Sequence, residues 1–451
     1  MKIRIRIETE FGWGEKRSHD LGTVERDSVC ASEEGFGLSL AEGKSLLKEI
    51  QRVLLQDQVE EISEVSRVCR FCGSYLAVHD RRESRIDTLF GRVTVAVPRV
   101  RVCMCGLPGH PEFKAAYSPL TRVLGNRATP EFQRLQAELA ARHSFREAAR
   151  ILNMLTPCAR QNHMTIRNRL ASVADHLEVG SDELIANTHV PGDREISVFL
   201  DSAYVRSRPE YQRRNFEVVV GAVEDGAGTK HRFGLCLPGA DHPLACMRMN
   251  LAEAGWREGD RVTVLSDGDP SLPRLVRNAI GADVDHILDW WHISIRIRHV
   301  ETTFQSLSSC LESSEVDDIL PFVQNLRWRV WHGQTGQALE ALEALFRVGM
   351  QIRKTSVGTR REAAFSVVSR AMELRTYLEY NRRAVANYAK RKQQGRAVST
   401  CRAEGLVNDI ANTRMGKKQR MRWSPRGAHR VATVRAAVLD GRLSAGQLEA
   451  A

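Results

Sequence analysis

Two short apolar runs that each end in an aspartate hold the first residues able to do chemistry. Residues 196–200 (Ile-Ser-Val-Phe-Leu) stop at Asp201, and residues 262–266 (Val-Thr-Val-Leu-Ser) stop at Asp267. β-Branched and aliphatic residues that run together and then meet a turn-forming residue predict buried strands. A buried carboxylate needs a compensating cation, so two such strand ends in one sheet could meet around Mg²⁺ or Mn²⁺. The alternative is that each aspartate caps a helix or opens a turn.

Two cysteine pairs, each followed directly by a glycine, are the second group of residues whose spacing suggests a chemical role. Cys69 and Cys72 have CxxC spacing, and Cys103 and Cys105 have the tighter CxC spacing. A glycine after each pair lets the backbone turn, so that four sulfur atoms can surround one Zn²⁺ tetrahedrally. Four protein ligands leave no open coordination position, so we expect this zinc to be structural. His110 could replace one cysteine as a ligand, and the alternative is four unrelated thiols.

The length, charge and apolar content of the chain limit the classes of protein to which it can belong. The chain has 451 residues, enough for about three domains. A net charge of +11 and a pI near 9.3 favour a polyanionic partner. No stretch has the apolar length needed to cross a bilayer, and the start lacks the apolar core of a signal peptide. We therefore expect a cytoplasmic protein without a membrane partner, in which clustered cysteines bind metal rather than form disulfides.

The elements that must position these residues begin with a strand and a helix. Residues 1–7 alternate charged residues with isoleucine and predict an amphipathic strand. Ser39 and Glu42 have the spacing of a capping box, and helical apolar spacing continues from there to about Ile62. This helix should pack on another part of the molecule or on a second copy.

A group of short helices is predicted next. Pro130 fits the first turn of one helix, and Ser144 and Glu147 have capping-box spacing at the start of another. A third helix carries Arg167 and Arg169 among apolar residues. Such helices suit a helix-turn-helix that contacts DNA, and a plain helical spacer is an equally weighted alternative.

Strand-forming segments return after residue 193 and surround the two aspartates. Residues 215–223 and 232–237 predict adjacent antiparallel strands of a mixed sheet, and a helix over residues 270–280 follows the second aspartate. A glycine-rich phosphate loop is missing, because residues 35–37 (Gly-Phe-Gly) lack a third glycine and a preceding strand. A dinucleotide-binding fold is therefore not expected.

The last third of the sequence is helical and charged, and then basic. Residues 301–396 predict helices, and the tail that follows contains a basic run in which methionine and tryptophan are interleaved. Such a run can contact phosphates while it packs on bases and sugars. The tail residues predicted to bind DNA are Lys417, Lys418, Arg420, Arg422 and Trp423. A solvated helical face is the alternative.

Several segments of the sequence match motifs of a known protein family and follow one another in the same order as they do there. They are the cysteine pairs, the strand ending at Asp201, Val264-Leu265-Ser266-Asp267-Gly268, Leu288-Asp289-Trp290-Trp291-His292, Trp331-His332-Gly333, and the tail from Val398 through Glu404 and Asn408 to Trp423 and His429. In this order the chain resembles, over nearly its whole length, bacterial insertion-sequence transposases of the DDE type. The resemblance is to the ISKra-type group, which has Mutator-like relatives. Each segment alone is a weak signal, and their combination is specific.

The resemblance implies a fold and a set of site residues. It implies an α/β catalytic core of the ribonuclease-H-like type with a helical insertion, preceded by a zinc ribbon and a helix-turn-helix-like helical region. The family's acidic triad falls on Asp201, Asp267 and Glu404. Its DxxH element, which lies close to the active site in such enzymes, falls on Asp289 and His292.

Three other acidic residues are alternatives to the members of the acidic triad. In addition, two positions beside the triad differ from the residues that the family usually has there. Asp269 lies past the strand end, where capping is the simpler role, and Glu340 and Glu343 lie in a helix without any other motif. Ser202 stands where the family usually has glycine, and Gly405 stands where it usually has serine. Neither change removes a ligand, but Gly405 could loosen the helix that presents the glutamate.

These observations predict a DNA transposase that nicks and joins the ends of an insertion sequence. Three carboxylates holding two Mg²⁺ about 4 Å apart can activate water or a 3′-hydroxyl for in-line attack on a phosphodiester. The expected partners are double-stranded DNA, both transposon ends and target, and further copies of the chain in a homodimer or higher oligomer. The alternatives are a ribonuclease-H-like nuclease without strand transfer and an inactive DNA-binding relic.

The expected domain organisation follows the same order. The segments are residues 1–66 (strand and helix), 67–117 (zinc-ribbon-like), 118–190 (helix-turn-helix-like), 191–300 (first part of the core), 301–395 (helical insertion) and 396–451 (the rest of the core, with the glutamate and the basic tail).

Overall fold

The computed structural model of the chain describes residues 1–26, 37–103, 105, 116–124, 127–179, 194–225, 228, 230–400 and 405–443. The chain divides into two compact units, residues 1–173 with 442–451, and residues 174–441. The division falls within the helix His163–Val179. The predicted boundary at residue 190 lies outside the described residues.

The first unit contains a β-hairpin, a long helix, a three-stranded sheet and a group of helices. Its elements are β1 (Lys2–Glu10), β2 (Lys16–Glu25), α1 (Leu40–Val65), β3 (Val78–Thr88), β4 (Gly91–Arg101), β5 (Ala116–Tyr117), α2 (Leu120–Val123), α3 (Pro130–Arg142), α4 (Phe145–Leu155) and α5 (His163–Val179), of which the last residues belong to the second unit. Strands β1 and β2 pair antiparallel, and so do β3, β4 and β5 in that order. Leu55 and Val59 of α1 pack against the valines of β4.

Local caps explain where the helices of this unit begin. Ser39 and Glu42 form the predicted capping box at the start of α1. The Ser144 hydroxyl accepts from the Glu147 N–H at 3.2 Å at the start of α4, and the side-chain oxygen of Asn162 accepts from the first N–H groups of α5. These predicted starts of α1 and α4 are confirmed, because each cap satisfies N–H groups that have no partner inside the helix.

Helix α1 turns only part of its apolar surface inward. Val53 is buried, whereas Leu47, Ile50 and Leu54 remain exposed in the single chain. Packing of this exposed stripe on a second copy therefore stays a prediction.

The second unit is built on a five-stranded mixed sheet. Its elements are β6 (Glu195–Arg206), β7 (Asn215–Asp225), β8 (Lys230–Leu235), α6 (Pro243–Glu253), β9 (Arg261–Ser266), α7 (Ser271–Ile280), β10 (Asp285–Leu288), α8 (Trp290–Ser308), α9 (Ser313–Val323), α10 (Leu326–Trp331), α11 (Thr335–Thr355), α12 (Gly358–Tyr380), α13 (Tyr388–Gln393), a π-helical turn (Val407–Asn412), α14 (Thr413–Met415) and α15 (Pro425–Leu439). The strand order is β10-β9-β6-β7-β8. Strands β6, β9 and β10 run parallel, and β7 pairs antiparallel with β6 and β8. The predicted mixed sheet is confirmed.

Different elements cover the two faces of this sheet. Leu200 faces the layer of α6 and α7, where it packs with Leu251 and other buried side chains. On the opposite face, Gly234 of β8 has no side chain, and a Cβ there would lie 2.7 Å from Ala432 and 2.9 Å from Ile410. The π-helical turn and α15 can therefore pack directly on the sheet.

Helices α8 to α13 build a core of their own. It contains Leu288 at the end of β10 together with buried leucines and alanines of α8 to α12. The rings of Trp290, Trp331 and Tyr388 meet within it, with centroids 4.7 and 5.1 Å from that of Trp290. This helical stretch begins at Trp290, ahead of the predicted start at residue 301.

Candidate functional site

The four predicted cysteine ligands of the first unit lie together at the open end of the β3–β4 hairpin. The sulfur atoms of Cys69, Cys72, Cys103 and Cys105 all lie within 4.8 Å of one another, with 3.6 Å between Cys69 and Cys105 and 3.5 Å between Cys72 and Cys103. These separations are too long for a disulfide of about 2.05 Å. They are close to the roughly 3.8 Å between sulfur atoms that each lie about 2.3 Å from one tetrahedral Zn²⁺. The cluster could hold a metal such as zinc.

The surroundings of the first cysteine pair favour thiolates. Backbone N–H groups, that of Cys72 first, lower the pKa of Cys69, and the Ser74 hydroxyl with its N–H lowers the pKa of Cys72 to about 6. The thiol of Cys103 and those of the first pair raise the pKa of Cys105 to about 12. Four neighbouring thiolates repel one another, and a divalent cation would remove that repulsion. His110, the alternative ligand, lies outside the described residues.

In the second unit, Asp201 lies within β6, which continues to Arg206 beyond the strand end that the sequence predicted at Asp201, and Asp267 directly follows β9. The parallel pairing of β6 with β9 aligns Phe199 with Leu265, and the same alignment two residues further on sets Asp201 beside Asp267. Neighbouring strands lie about 4.8 Å apart. Strand register therefore brings together these two carboxylates, called here the acidic pair, although Asp201 lies inside its strand and not at a strand end.

Asp289 follows β10 at the same edge of the sheet, but its carboxylate is already engaged in hydrogen bonds within the fold. It is buried, and it accepts hydrogen bonds from the Trp291 N–H at 3.1 Å, from the Thr400 N–H at 2.9 Å and from the Thr400 hydroxyl at 2.8 Å. Asp289 thus caps α8 and fixes the chain at Thr400. Its role is to hold neighbouring segments in place rather than to face open solvent.

The turn after Asp267 is fixed by contacts from helices α8 and α12. Gly268 has a φ of +99°, and a Cβ there would lie 3.0 Å from Asn381, so this position requires glycine. The Tyr377 hydroxyl donates to the carbonyl oxygen of Asp267 at 2.7 Å, and the Arg296 guanidinium lies 4.2 Å from the centre of the Tyr377 ring. The helical stretch therefore positions the second aspartate.

The competing acidic residues have other partners or lie elsewhere. The Asp269 carboxylate accepts from the Ser271 N–H at 2.8 Å, which is the capping role that the sequence predicted. The Asp269 N–H in turn donates to the Asp267 carboxylate at 3.2 Å. Glu340 and Glu343 both lie on α11, and Glu343 is paired with two arginines.

The electrostatics of Asp201 indicate a carboxylate whose charge is not fully compensated. Burial raises the pKa of Asp201, the Ser202 N–H at 2.7 Å lowers it, and the carboxylates of Asp267 and Asp289 raise it further, against an opposing contribution from His292. A cation bound at the acidic pair would favour the ionised form.

His292 lies close to this pair and has a buried nitrogen without a partner. Its Nε2 lies 3.6 Å from the nearer oxygen of Asp289 and has no hydrogen-bond partner among the described residues. Since buried polar atoms are usually satisfied, an unpartnered one beside two carboxylates is a candidate contact for a ligand.

Glu404 lies outside the described residues, but the chain on both sides of it is held to the sheet that carries the acidic pair. Thr400 is held at the end of β10 by the contacts described above. Gly405 begins the helical segment that leads into the π-helical turn, which packs on β6 and β7. Across β7, Asp201 aligns with the glycine of β8 that Ile410 covers. The segment that follows Glu404 therefore lies on the face of the sheet that carries Asp201.

A second group of potential ligands is closed by its own contacts. Among the described residues, sets of three or more ligand atoms within 4.8 Å are the cysteine cluster and the set Glu178, Cys246 and His429. The Nδ1 of His429 accepts from the Cys236 N–H at 3.4 Å, so Nε2 carries the ring proton, and it faces Glu178 at 2.7 Å. A protonated Nε2 cannot bind a metal, so this set is a polar contact inside the fold.

Of the residues predicted to bind DNA, five have exposed side chains. They are Arg167, Lys417, Lys418, Arg420 and Arg422. Arg169 instead donates to the side chains of Gln133 and Gln136, each at 3.0 Å, and its burial lowers its pKa. It helps to join α5 to α3.

Trp423 departs from the predicted stacking role. Only 4% of its surface is exposed, its backbone N–H donates to the Arg206 carbonyl at 2.9 Å, and the Arg414 guanidinium covers its ring at 4.9 Å. An indole so enclosed packs the loop against β6 instead of stacking on a base. The interpretation of the basic run is corrected at this residue, and its exposed cations stay predicted DNA contacts.

Sequence reasoning missed two residues that hold the ends of the acidic strands. Thr400 binds Asp289 over a separation of 111 residues, and Tyr377 binds the Asp267 carbonyl over 110 residues. No pattern of residues that are close in sequence predicts contacts between residues so far apart in the chain.

The remaining observations concern the whole chain. No helix in the described part is both long enough and apolar enough to span a membrane. Function must be inferred from the chain's own residues, because the sequence matches no protein-family model and no curated protein.

Proposed function

We propose that this chain is a DNA transposase of the DDE type with its acidic triad at Asp201, Asp267 and Glu404. The observation that carries the proposal is the parallel register of β6 with β9, which aligns Phe199 with Leu265 and, continued by two residues, sets Asp201 beside Asp267. A mixed sheet covered on both faces, and a helical stretch between the second aspartate and the glutamate, are what the resemblance to such enzymes implies. The packing of both segments that flank Glu404 supports its assignment.

The chemistry of the donor set fits Mg²⁺ or Mn²⁺. Asp201, Asp267 and Glu404 would hold the metal through carboxylate oxygens, which these cations prefer. Burial, and then the neighbouring carboxylate of Asp267, raise the pKa of Asp201, and a cation bound there would offset both effects. When bound, the metal activates a water or a 3′-hydroxyl and stabilises the leaving oxygen of a phosphodiester.

The chain's own residues have the remaining roles. Tyr377 and Gly268 fix the backbone on either side of the second aspartate, and Asp289 fixes Thr400 near the third. His292, with its unpartnered Nε2, would donate to a phosphate oxygen of the DNA at the acidic pair.

The other features fit the same function. Zn²⁺ in the cysteine cluster would stabilise the first unit without taking part in chemistry, since four thiolates fill its coordination. The exposed cations of the basic run and the net charge of +11 suit a polyanionic duplex in the cytoplasm. Two copies are expected, because two transposon ends must be joined.

The test is cleavage and joining of a labelled duplex that carries the terminal sequence of the encoding element. Wild type with Mg²⁺ should cut and join this end, while Asp201→Asn and Asp267→Asn should bind it and do no chemistry. Asp269→Asn is the matched control, since that carboxylate caps a helix, and it should retain activity. Wild-type activity in Asp201→Asn would contradict the proposal.

The same assay separates the two alternatives. A ribonuclease-H-like nuclease would cut without joining and without preference for the terminal sequence. A DNA-binding relic would bind the terminal sequence, and neither wild type nor variants would cut it.

A further inference from the structure

A groove beside the acidic pair is lined by arginines that the fold does not use. It has a volume of about 520 Å³ and opens between α7 and the residues that follow α12, with Gly268 in its wall. The arginines that line it are Arg274, Arg277, Arg382 and Arg383, all exposed. Arg277 lies 3.3 Å from the exposed carboxylate of Asp283, and the other three form no ion pair with the described residues. Their charge is available to a ligand.

The other titratable groups of the groove do not cancel this charge. Glu379 is the single acidic residue in its lining, and it lies 3.9 Å from Arg375. The Nε2 of His286 lies 2.9 Å from the Ser266 hydroxyl, and burial lowers the pKa of this imidazole, so it is neutral at pH 7. The groove therefore carries a net positive charge.

A second cavity of about 720 Å³ adjoins the first and has a different lining. The two share Gly268, Tyr380 and Asn381, and the second is otherwise mostly apolar, with Phe346, Phe365, Met372 and Tyr377 in its wall. Tyr377 is held by its bond to the Asp267 carbonyl and covered by Arg296. Tyr380 is 72% exposed, and its ring makes no contact with another ring or cation in the described part of the chain.

We infer that the two cavities together bind an unpaired nucleic-acid strand, with its phosphates on Arg274, Arg382 and Arg383 and a base stacked on Tyr380. Guanidinium groups that bind phosphates next to a free aromatic face are the combination by which proteins hold single strands. A paired duplex presents phosphates but no free base face, so it would leave the aromatic cavity empty.

The position of the shared wall connects this site with the chemistry. Gly268 lines both cavities and follows Asp267 directly, so a strand that occupies both cavities passes the backbone next to Asp267. The inference deepens the proposed function and rests on it for the identity of the strand, which is a DNA end whose two strands have separated at the acidic pair.

The test measures binding of the full chain to fluorescein-labelled oligo-dT of about 20 nucleotides, longer than the ~4–16 that single-strand-binding domains cover. Anisotropy is recorded without added divalent metal. The test variant is Arg274→Gln/Arg382→Gln/Arg383→Gln. The matched control is Arg298→Gln/Lys354→Gln/Arg361→Gln, which removes three exposed cations without ion pairs in the described part of the chain. Equal melting temperatures of both variants and wild type check that the fold is kept.

The arginine result has two parts. The test variant should bind oligo-dT about tenfold more weakly, and the slope of log Kd against log salt should fall by about two, at roughly 0.7 for each lost phosphate contact. The control should change the affinity by less than about twofold. Equal losses in test and control variants would overturn the inference, because they would reflect net charge alone.

The aromatic result separates an unpaired strand from a duplex. Tyr380→Ala should weaken binding to oligo-dT about tenfold, as expected for loss of one stacked base, while Tyr380→Phe should keep it. Neither change should alter binding to a blunt duplex. Equal affinity of Tyr380→Ala and Tyr380→Phe for oligo-dT would overturn the inference. This experiment measures binding and not cleavage. If the variants show the expected affinities but the wild-type chain does not cut DNA, only the proposed function is contradicted.

Discussion

The cysteine cluster of the first unit and the acidic pair of the second both gather groups that repel one another when ionised, but the chain holds them differently. Cys72 and Cys105 are exposed and lie on segments outside the strands. Asp201 lies within β6 and Asp267 directly follows β9, and the strand residues two positions before them, Phe199 and Leu265, are buried. The metal should stabilise the local fold around the cysteines, whereas the sheet holds the acidic pair together before any metal binds.

This difference has an energetic consequence. Loss of the metal at the cysteines should cost folding free energy, because little apolar packing replaces it. Loss of the metal at the acidic pair should cost activity and leave the fold intact, because the strand register persists.

Removal of one thiolate should have the largest effect on stability. Cys72→Ser should abolish zinc binding and forfeit most of the metal-binding free energy, which is about 10 kcal/mol or more at structural zinc sites. Zinc content and the calorimetric transition of the first unit are the measurements. Cys310→Ser, at an exposed cysteine outside the cluster, is the control and should keep both. One bound zinc in Cys72→Ser would show that the cluster is not closed by four ligands.

Loss of the hydroxyl that binds Asp289 should affect the second unit alone. Thr400→Val leaves a buried carboxylate short of one donor and should destabilise that unit by about 1–3 kcal/mol, with zinc content unchanged. Urea unfolding measures the effect, and amide exchange around residue 400 should rise. Thr355→Val, which removes a hydroxyl at an exposed helix end, should cost less than about 0.5 kcal/mol. Similar costs in both variants would mean that Thr400 does not anchor this segment.

The burial of Asp201, together with its repulsion by Asp267, should appear in the pH dependence of stability. In metal-free protein the pKa of Asp201 is raised on folding, so its contribution to stability is fully present below its unfolded pKa of about 4 and is lost as the pH rises through the folded value. Above that window Asp201→Asn should be more stable than wild type by about 1 kcal/mol. Saturating Mg²⁺ should remove this difference.

Tryptophan fluorescence can follow that unfolding, because every tryptophan except Trp13 lies in the second unit. Asp269→Asn should not reproduce the gain in stability, since its carboxylate caps α7. A metal-free Asp201→Asn that is less stable than wild type at pH 7 would contradict the account of the acidic pair.

The smallest effect is expected at Gly405. A Cβ at this position meets nothing within 4 Å, so Gly405→Ser should change stability by less than about 0.5 kcal/mol and leave DNA cleavage within about twofold. Unfolding and end cleavage are measured together. A tenfold rise in cleavage would show that the glycine does loosen the segment next to Glu404.

Local patterns predicted much of this molecule, and long-range contacts account for what they missed. The cysteine pairs, the strands on which Asp201 and Asp267 depend, and the cap at Ser39 are signalled by spacing within a few residues, whereas the continuation of β6 to Arg206 is not. The partner of a strand and its register depend on contacts across the whole unit, so local spacing could suggest the side-by-side position of the aspartates without fixing it. The burial of Trp423 depends on β6, more than 200 positions earlier in the chain, and composition alone favoured an exposed residue.

The most direct test of the acidic triad is end cleavage and strand transfer with Mg²⁺, comparing wild type, Glu404→Ala and Glu343→Ala. We expect wild type and Glu343→Ala to join labelled transposon ends, while Glu404→Ala binds them and does no chemistry. Equal joining by wild type and Glu404→Ala, or its loss in Glu343→Ala alone, would contradict the acidic triad.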